Sequence, residues 1–132
     1  MTEPCSLVIF GSTGNLGRNK LLPALYHLEL AEQLAPATRI LGFGRREWSD
    51  GDWREEVARS LESGVRGGLD DAVFERLAAR LYFVPGDLQD LDAYARLCRR
   101  LRDDPDMPAN LVFYLSIYFF LPYLILRSCD QN

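Results

Sequence analysis

Histidine and cysteine are scarce: the 132 residues hold one of the first, His27, and three of the second. Cys5, Cys98 and Cys129 are far apart, odd in number and in no ligand spacing, so neither a disulfide framework nor a metal site is signalled. His27 sits in a helical pattern, which favours a surface or half-buried residue over a catalytic one. Positive charge is not in excess either. Fifteen lysines and arginines stand against 19 acidic residues, a net charge of −4, so there is no basic stripe to neutralise nucleic-acid phosphates. The N-terminus lacks a basic stretch followed by an apolar core, so no secretory signal is expected and the cytoplasm is the default compartment. Hydrophobic content of 48% and charged content of 26% are ordinary for one soluble globular domain.

The informative stretch is Leu7 to Lys20. Leu7-Val8-Ile9-Phe10 reads as a buried parallel strand. It runs into glycines at 11, 14 and 17, in G-x-x-G-x-x-G spacing, with a helix pattern behind them. A glycine-rich turn between strand and helix can hold a phosphate. Gly11 permits the sharp turn, Gly14 the approach of backbone to a pyrophosphate, and Gly17 close packing of helix on strand. Backbone N–H groups and the positive end of the helix dipole supply the anion site. The bland alternative is a tight turn that binds nothing.

Downstream, strands alternate with helices. Pro23 belongs in a first turn, so a fresh helix is expected from about Leu22 to Leu34, with Leu21, Leu25 and Leu28 on its apolar face. Arg39 to Arg45 is the second strand. Ser49 caps a helix with Asp52 three residues on, and Trp53, Val57 and Leu61 form its stripe. A helix from Asp70 to Arg80 carries Phe74, Leu77 and Ala78, the strand Leu81–Val84 follows, and a turn at Pro85-Gly86-Asp87-Leu88 ends it. Leu91, Tyr94, Leu97, Cys98 and Leu101 make the face of the next helix, and Asn110 to Ile117 reads as a fourth strand. This alternation predicts an α/β fold: a Rossmann-type parallel sheet with helices on both faces, incomplete at its C-terminal end. Ligands of such sheets lie beyond the carboxyl ends of the strands, where the glycine turn, Arg45 and Asp87 fall. An acidic residue at the end of the second strand holds the ribose hydroxyls of NAD, whereas arginine suits a 2′-phosphate. Arg45-Arg46 occupies that place, which favours NADP.

Phe10-Gly11-Ser12-Thr13-Gly14-Asn15-Leu16, with Arg18 and Lys20-Leu21-Leu22-Pro23-Ala24-Leu25-Tyr26, resembles the N-terminal cofactor domain of glucose-6-phosphate dehydrogenases. Ile40 to Arg46, Phe83 to Asp87 and Val112 to Ile117 extend the likeness to about residue 117. The resemblance implies an NADP-binding part of an oxidoreductase that oxidises glucose 6-phosphate at the head of the pentose phosphate pathway. It also implies roles. Gly11, Ser12, Thr13, Gly14, Asn15 and Leu16 would hold the pyrophosphate and Arg45 the 2′-phosphate. Asp87 and Leu88 would lie near the adenine, Leu115 and Ser116 near the nicotinamide-side ribose, and Lys20 would reach toward the reacting centre. Asn15, Gly17 and Asn19 depart from the family, which has aspartate, alanine and a basic residue there. Gly-Ser-Thr-Gly-Asn-Leu-Gly is closer to the turn of extended short-chain dehydrogenase-like proteins, so the alternative is a non-catalytic nucleotide-binding module of that type. Their Tyr-x-x-x-Lys pair does not occur here.

Residues 1–117 are therefore expected to form the nucleotide-binding domain and 118–132 a divergent apolar tail. The family's substrate segment and catalytic base have no counterpart in these residues, so no catalytic residue is assigned and the chain alone is expected to be inactive. Leu111 to Leu126 is 16 residues without a charge, short of the ~20 a membrane helix needs, and Pro122 interrupts it. A core strand followed by a sticky extension is preferred over a tail anchor.

Overall fold

A computed structural model describes residues 3–10, 20–65, 67–87 and 89–115, with backbone alone at Leu115. Its elements are β1 (Ser6–Phe10), α1 (Leu22–Leu30), β2 (Arg39–Gly44), α2 (Asp50–Gly64), α3 (Asp71–Ala78), β3 (Leu81–Pro85), α4 (Leu91–Asp103) and β4 (Leu111–Leu115). All strand pairs are parallel and the sheet order is β3-β2-β1-β4. This is the Rossmann-type arrangement the alternation predicts.

Alternation along each strand sends side chains to two faces. Ile9, Ile40, Leu81 and Phe83 pack with Leu22, Leu25 and Tyr26 of α1, Trp53, Val57 and Leu61 of α2, and Val73 and Leu77 of α3. Val8, Phe10, Leu41, Phe43 and Val84 face the other way, onto Ala93, Tyr94, Leu97 and Leu101 of α4. Both faces of the sheet are thus covered, which is why its strands read as nearly continuous apolar runs.

Local chemistry sets the helix starts. Ser49 accepts from the Asp52 N–H at 3.1 Å while the Asp52 carboxylate accepts from the Ser49 N–H at 3.0 Å, a closed capping box. Asp70 and Asp90 cap α3 and α4 through side-chain oxygens. Pro23 lies in the first turn of α1, where it costs no hydrogen bond.

Several expectations need correction. Helix α1 ends at Leu30 rather than near Leu34, because the chain reverses at Glu32, whose φ is +56°. Its buried face is Leu22, Leu25, Tyr26 and Glu29, and Leu28 is exposed. Glu29 is buried because Arg80 meets it at 2.9 Å, a contact between residues 51 apart in sequence. Leu91 is also exposed, at the first position of α4 before its apolar stripe begins. Val73 takes the buried place in α3 beside Leu77, with Phe74 only partly buried. Cys98 is disulfide-bonded and Cys5 is free. Residues 116 to 132, including the tail, lie outside the described residues. Among the described residues no helix is long and apolar enough to cross a membrane, and no group of side chains could hold a metal ion.

Candidate nucleotide-binding site

The sheet order creates one place where the chain changes direction. From β1 it steps to β2 and β3 on one side, and β4 returns to the other side of β1. A crevice opens outside the carboxyl ends of the strands at such a switch point. The register there is a single row, Val84–Phe43–Phe10–Leu115, crossing all four strands. The glycine turn leaves β1 directly after Phe10 in sequence, at the centre of that row.

Aromatic rings make the floor beneath the row on the α4 side. Phe10 stacks with Phe113 at 5.8 Å and meets Phe43 edge-on at 5.8 Å. Phe43 in turn stacks on Tyr94 of α4 at 5.7 Å. Rings in such contact hold one another's orientation, so the strand ends rest on a stiff support. Burial raises the Tyr94 hydroxyl above its ordinary pKa, and the negative charge of Asp87 adds to the rise.

The rim carries the polar groups. Gly44 ends β2, and its carbonyl accepts the Gly86 N–H at 2.7 Å, tying the ends of β2 and β3 together. Arg45 follows Gly44 and is exposed. The Arg46 guanidinium lies 5.7 Å from the Trp48 ring centre, a cation–π contact that draws it toward the side of the rim. Asp87 is exposed beyond β3. Its carboxylate accepts the Gln89 N–H at 2.9 Å and its carbonyl the Asp90 N–H at 3.0 Å, a turn that delivers the chain to the cap of α4.

Of the residues singled out from sequence, Arg45 and Asp87 stand at this edge, and the Leu115 backbone pairs with Phe10. Lys20 is exposed just ahead of α1. Gly11, Ser12, Thr13, Gly14, Asn15, Leu16, Leu88 and Ser116 lie outside the described residues. His27 is exposed on α1, far in sequence from the rim segments. Sequence reasoning gave no role to Gly86, yet a Cβ there would stand 2.4 Å from the Ala93 Cβ and 3.0 Å from the Phe43 ring. Only glycine lets β3 end this close to α4. The signal available was the Pro85-Gly86-Asp87 turn; the contact itself depends on tertiary packing. Trp48 was also unassigned, although an aromatic two residues after an arginine at a strand end is a visible pattern.

Comparison with known proteins agrees with this geometry. The family model for the NAD binding domain of glucose-6-phosphate dehydrogenase matches residues 8–127. Glucose-6-phosphate 1-dehydrogenase of Dickeya dadantii is 43% identical over 95 residues, 72% of this chain and 19% of its own length. Glucose-6-phosphate 1-dehydrogenase 2 of Mycobacterium bovis is 38% identical over 117 residues, 86% of this chain and 23% of its own. The crystal structure of glucose-6-phosphate 1-dehydrogenase from Mycobacterium avium superposes with a TM-score of 0.81 at 30% identity, covering 97% of this chain and 27% of that one. The chain thus spans about a fifth of the length of the curated relatives it matches.

Proposed function

This chain belongs to the glucose-6-phosphate dehydrogenase family, over that family's NAD-binding domain, and on that premise we propose that it holds NADP for the oxidation of glucose 6-phosphate. Such a reaction needs the sugar's C1 held against the nicotinamide while a positioned base takes the hydroxyl proton. NADP, when bound, supplies the hydride acceptor. The residues of this chain bind and orient it.

The observation that carries the choice of NADP is Arg45. It is exposed one residue beyond β2, at the carboxyl edge of the sheet, and no Asp or Glu stands between Arg39 and Arg46 to accept ribose hydroxyls. A guanidinium grips a phosphate through two parallel charge-assisted bonds and offers an unphosphorylated ribose much less. In this reading Gly11, Ser12, Thr13, Gly14, Asn15 and Leu16 cradle the pyrophosphate. Asp87 and Leu88 border the adenine, Leu115 and Ser116 the nicotinamide-side ribose, and Lys20 faces the reacting centre. Gly86 fits the role of keeping the rim open, since a larger residue there would push the end of β3 away from α4.

Calorimetric titration of 2′-phospho-AMP and AMP isolates the contact in question from the rest of the cofactor. Tighter binding of the phosphorylated ligand is expected, and equal affinities would remove the basis for NADP.

A further inference from the structure

A second cleft lies at the opposite end of the sheet, where β2 and β3 begin. It has a volume of about 320 Å³ and is lined by Glu29, Pro36, Arg39, Arg76, Ala79 and Arg80. Three guanidiniums and a single carboxylate therefore share one concavity.

Each arginine is differently engaged. Arg80 is buried; its Nε donates to Glu29 Oε2 at 2.9 Å, and its Nη1 to the carbonyls of Ala35 at 2.7 Å and Thr38 at 2.9 Å. Arg76 Nε donates to Glu29 Oε1 at 3.3 Å while its side chain stays half exposed. Arg39 Nη1 donates to the carbonyls of Pro36 and Thr38, both at 3.2 Å, and its Nε is buried without a partner among the described residues. Glu29 already accepts from two arginines, so positive charge is left over. A buried N–H on a charged group is costly to leave unmade. An anion entering the cleft would meet the surplus charge.

We propose that this cleft is an anion site, separate from the nucleotide crevice, for a tetrahedral oxyanion: inorganic phosphate or a small phosphomonoester. Arginine forks match the spacing of phosphate oxygens. The volume sits at the lower end of the ~300–1,000 Å³ usual for small-molecule sites, which suits a phosphate with a small substituent. The rigid anchor is Arg80, held by loop carbonyls and Glu29. Arg76 and Arg39 supply the donors that engage the ligand.

The test is titration of the intact chain with inorganic phosphate at low salt, by calorimetry and by phosphorus NMR line width, with acetate as the planar anion for comparison. Saturable phosphate binding is expected, weakened about tenfold by Arg76→Gln and by Arg39→Met, the effect of losing one charge-assisted bond. Arg45→Ala should leave it unchanged, which separates this site from the proposed cofactor site. Arg76 is half exposed, so its variant decides the matter if Arg39→Met fails to fold. Absence of saturable binding, indifference to Arg76→Gln, or its loss in Arg45→Ala overturns the proposal. Acetate binding as tightly as phosphate overturns the tetrahedral assignment.

Discussion

Asp50 and Arg100 meet at 2.9 Å on the open side of β3, and together they satisfy both backbone groups of Phe83. Asp50 accepts the Phe83 N–H at 2.7 Å and Arg100 donates to the Phe83 carbonyl at 3.1 Å. The pattern continues along the strand. Arg54 donates to the Leu81 carbonyl at 2.8 Å, Arg96 to the Pro85 carbonyl at 3.2 Å, and Pro85 has no N–H to satisfy. Arg100 and Arg54 also lie over the Tyr82 ring. An edge strand is a template for unwanted pairing unless its polar groups are occupied. Side chains from α2 and α4 close the β3 edge of this sheet.

That closure predicts a cost for opening it. Arg100→Ala strands the Asp50 carboxylate and the Phe83 carbonyl together. Both side chains are about a third exposed, so water makes up part of the loss and about 1–2 kcal/mol is expected. Arg59→Ala removes the pair between the exposed Arg59 and Glu56 one helical turn away and should change stability by less than about 0.5 kcal/mol. Urea unfolding of both variants checks the contrast. Equal midpoints would mean that the edge contacts contribute nothing beyond a surface ion pair.

The glycine at the end of β3 predicts a coupling. Gly86→Ala puts a methyl 2.4 Å from the Ala93 Cβ, and overpacking of this kind costs about 1–3 kcal/mol. Ala93→Gly alone should cost about 1 kcal/mol, as glycine does inside a helix. Combined, the two should cost less than their sum, because removing the Ala93 methyl makes room for the new one. The Phe43 ring remains near at 3.0 Å, so the rescue is partial. Additive effects in the double-mutant cycle would show that the two positions do not press on each other.

What could be read in the sequence and what could not divides along the range of the interaction. The capping box of Ser49 and Asp52 is complete within four residues, and so was legible. Strand alternation placed the carboxyl edge correctly, because parallel order follows from the βαβ pattern alone. The face of α1 was misread because the burial of Glu29 is decided by Arg80 and Arg76, some fifty residues on. An isolated glutamate looks like a solvent residue; two guanidiniums make it a core one. Gly86 likewise looked like any turn glycine until Ala93 and Phe43 came against it. At the site, Arg45 and Asp87 were legible as residues at strand ends, whereas the tie from Gly86 to Gly44 and the Arg46–Trp48 contact required the fold.

Tyr94 predicts a pH dependence at the alkaline end. Burial first, and the Asp87 charge second, hold its hydroxyl above the ordinary value of 10.0. The folded state therefore keeps this proton to higher pH than the unfolded chain does. The resulting stability is fully present below pH ~10 and is lost as pH rises through the folded value. Tyrosinate absorbance on raising the pH should show a late-titrating component that disappears in Tyr94→Phe. Asp87→Asn should lower that pKa only in part, since burial remains. A full return to 10.0 in Asp87→Asn would mean that charge rather than burial sets the shift.

The two arginines beyond β2 should not be equivalent. Arg46 already has an aromatic partner in Trp48 at 5.7 Å, worth about 0.5–1 kcal/mol at an exposed site, and swinging it onto a ligand gives that up. Arg45 has the position next to Gly44, at the strand end itself. If the 2′-phosphate is read by Arg45, Arg45→Ala removes charge-assisted bonds of ~1.5–3 kcal/mol, a loss of roughly ten- to hundredfold for 2′-phospho-AMP. Its affinity for AMP should hardly change. Arg46→Ala should weaken 2′-phospho-AMP by less than about tenfold, and Trp48→Leu, by freeing Arg46, should restore part of the preference in an Arg45→Ala background. Calorimetry on these variants gives the order directly. A larger loss from Arg46→Ala than from Arg45→Ala would transfer the phosphate contact to Arg46, and equal weakening of both ligands by Arg45→Ala would show that the residue senses the adenosine rather than its phosphate.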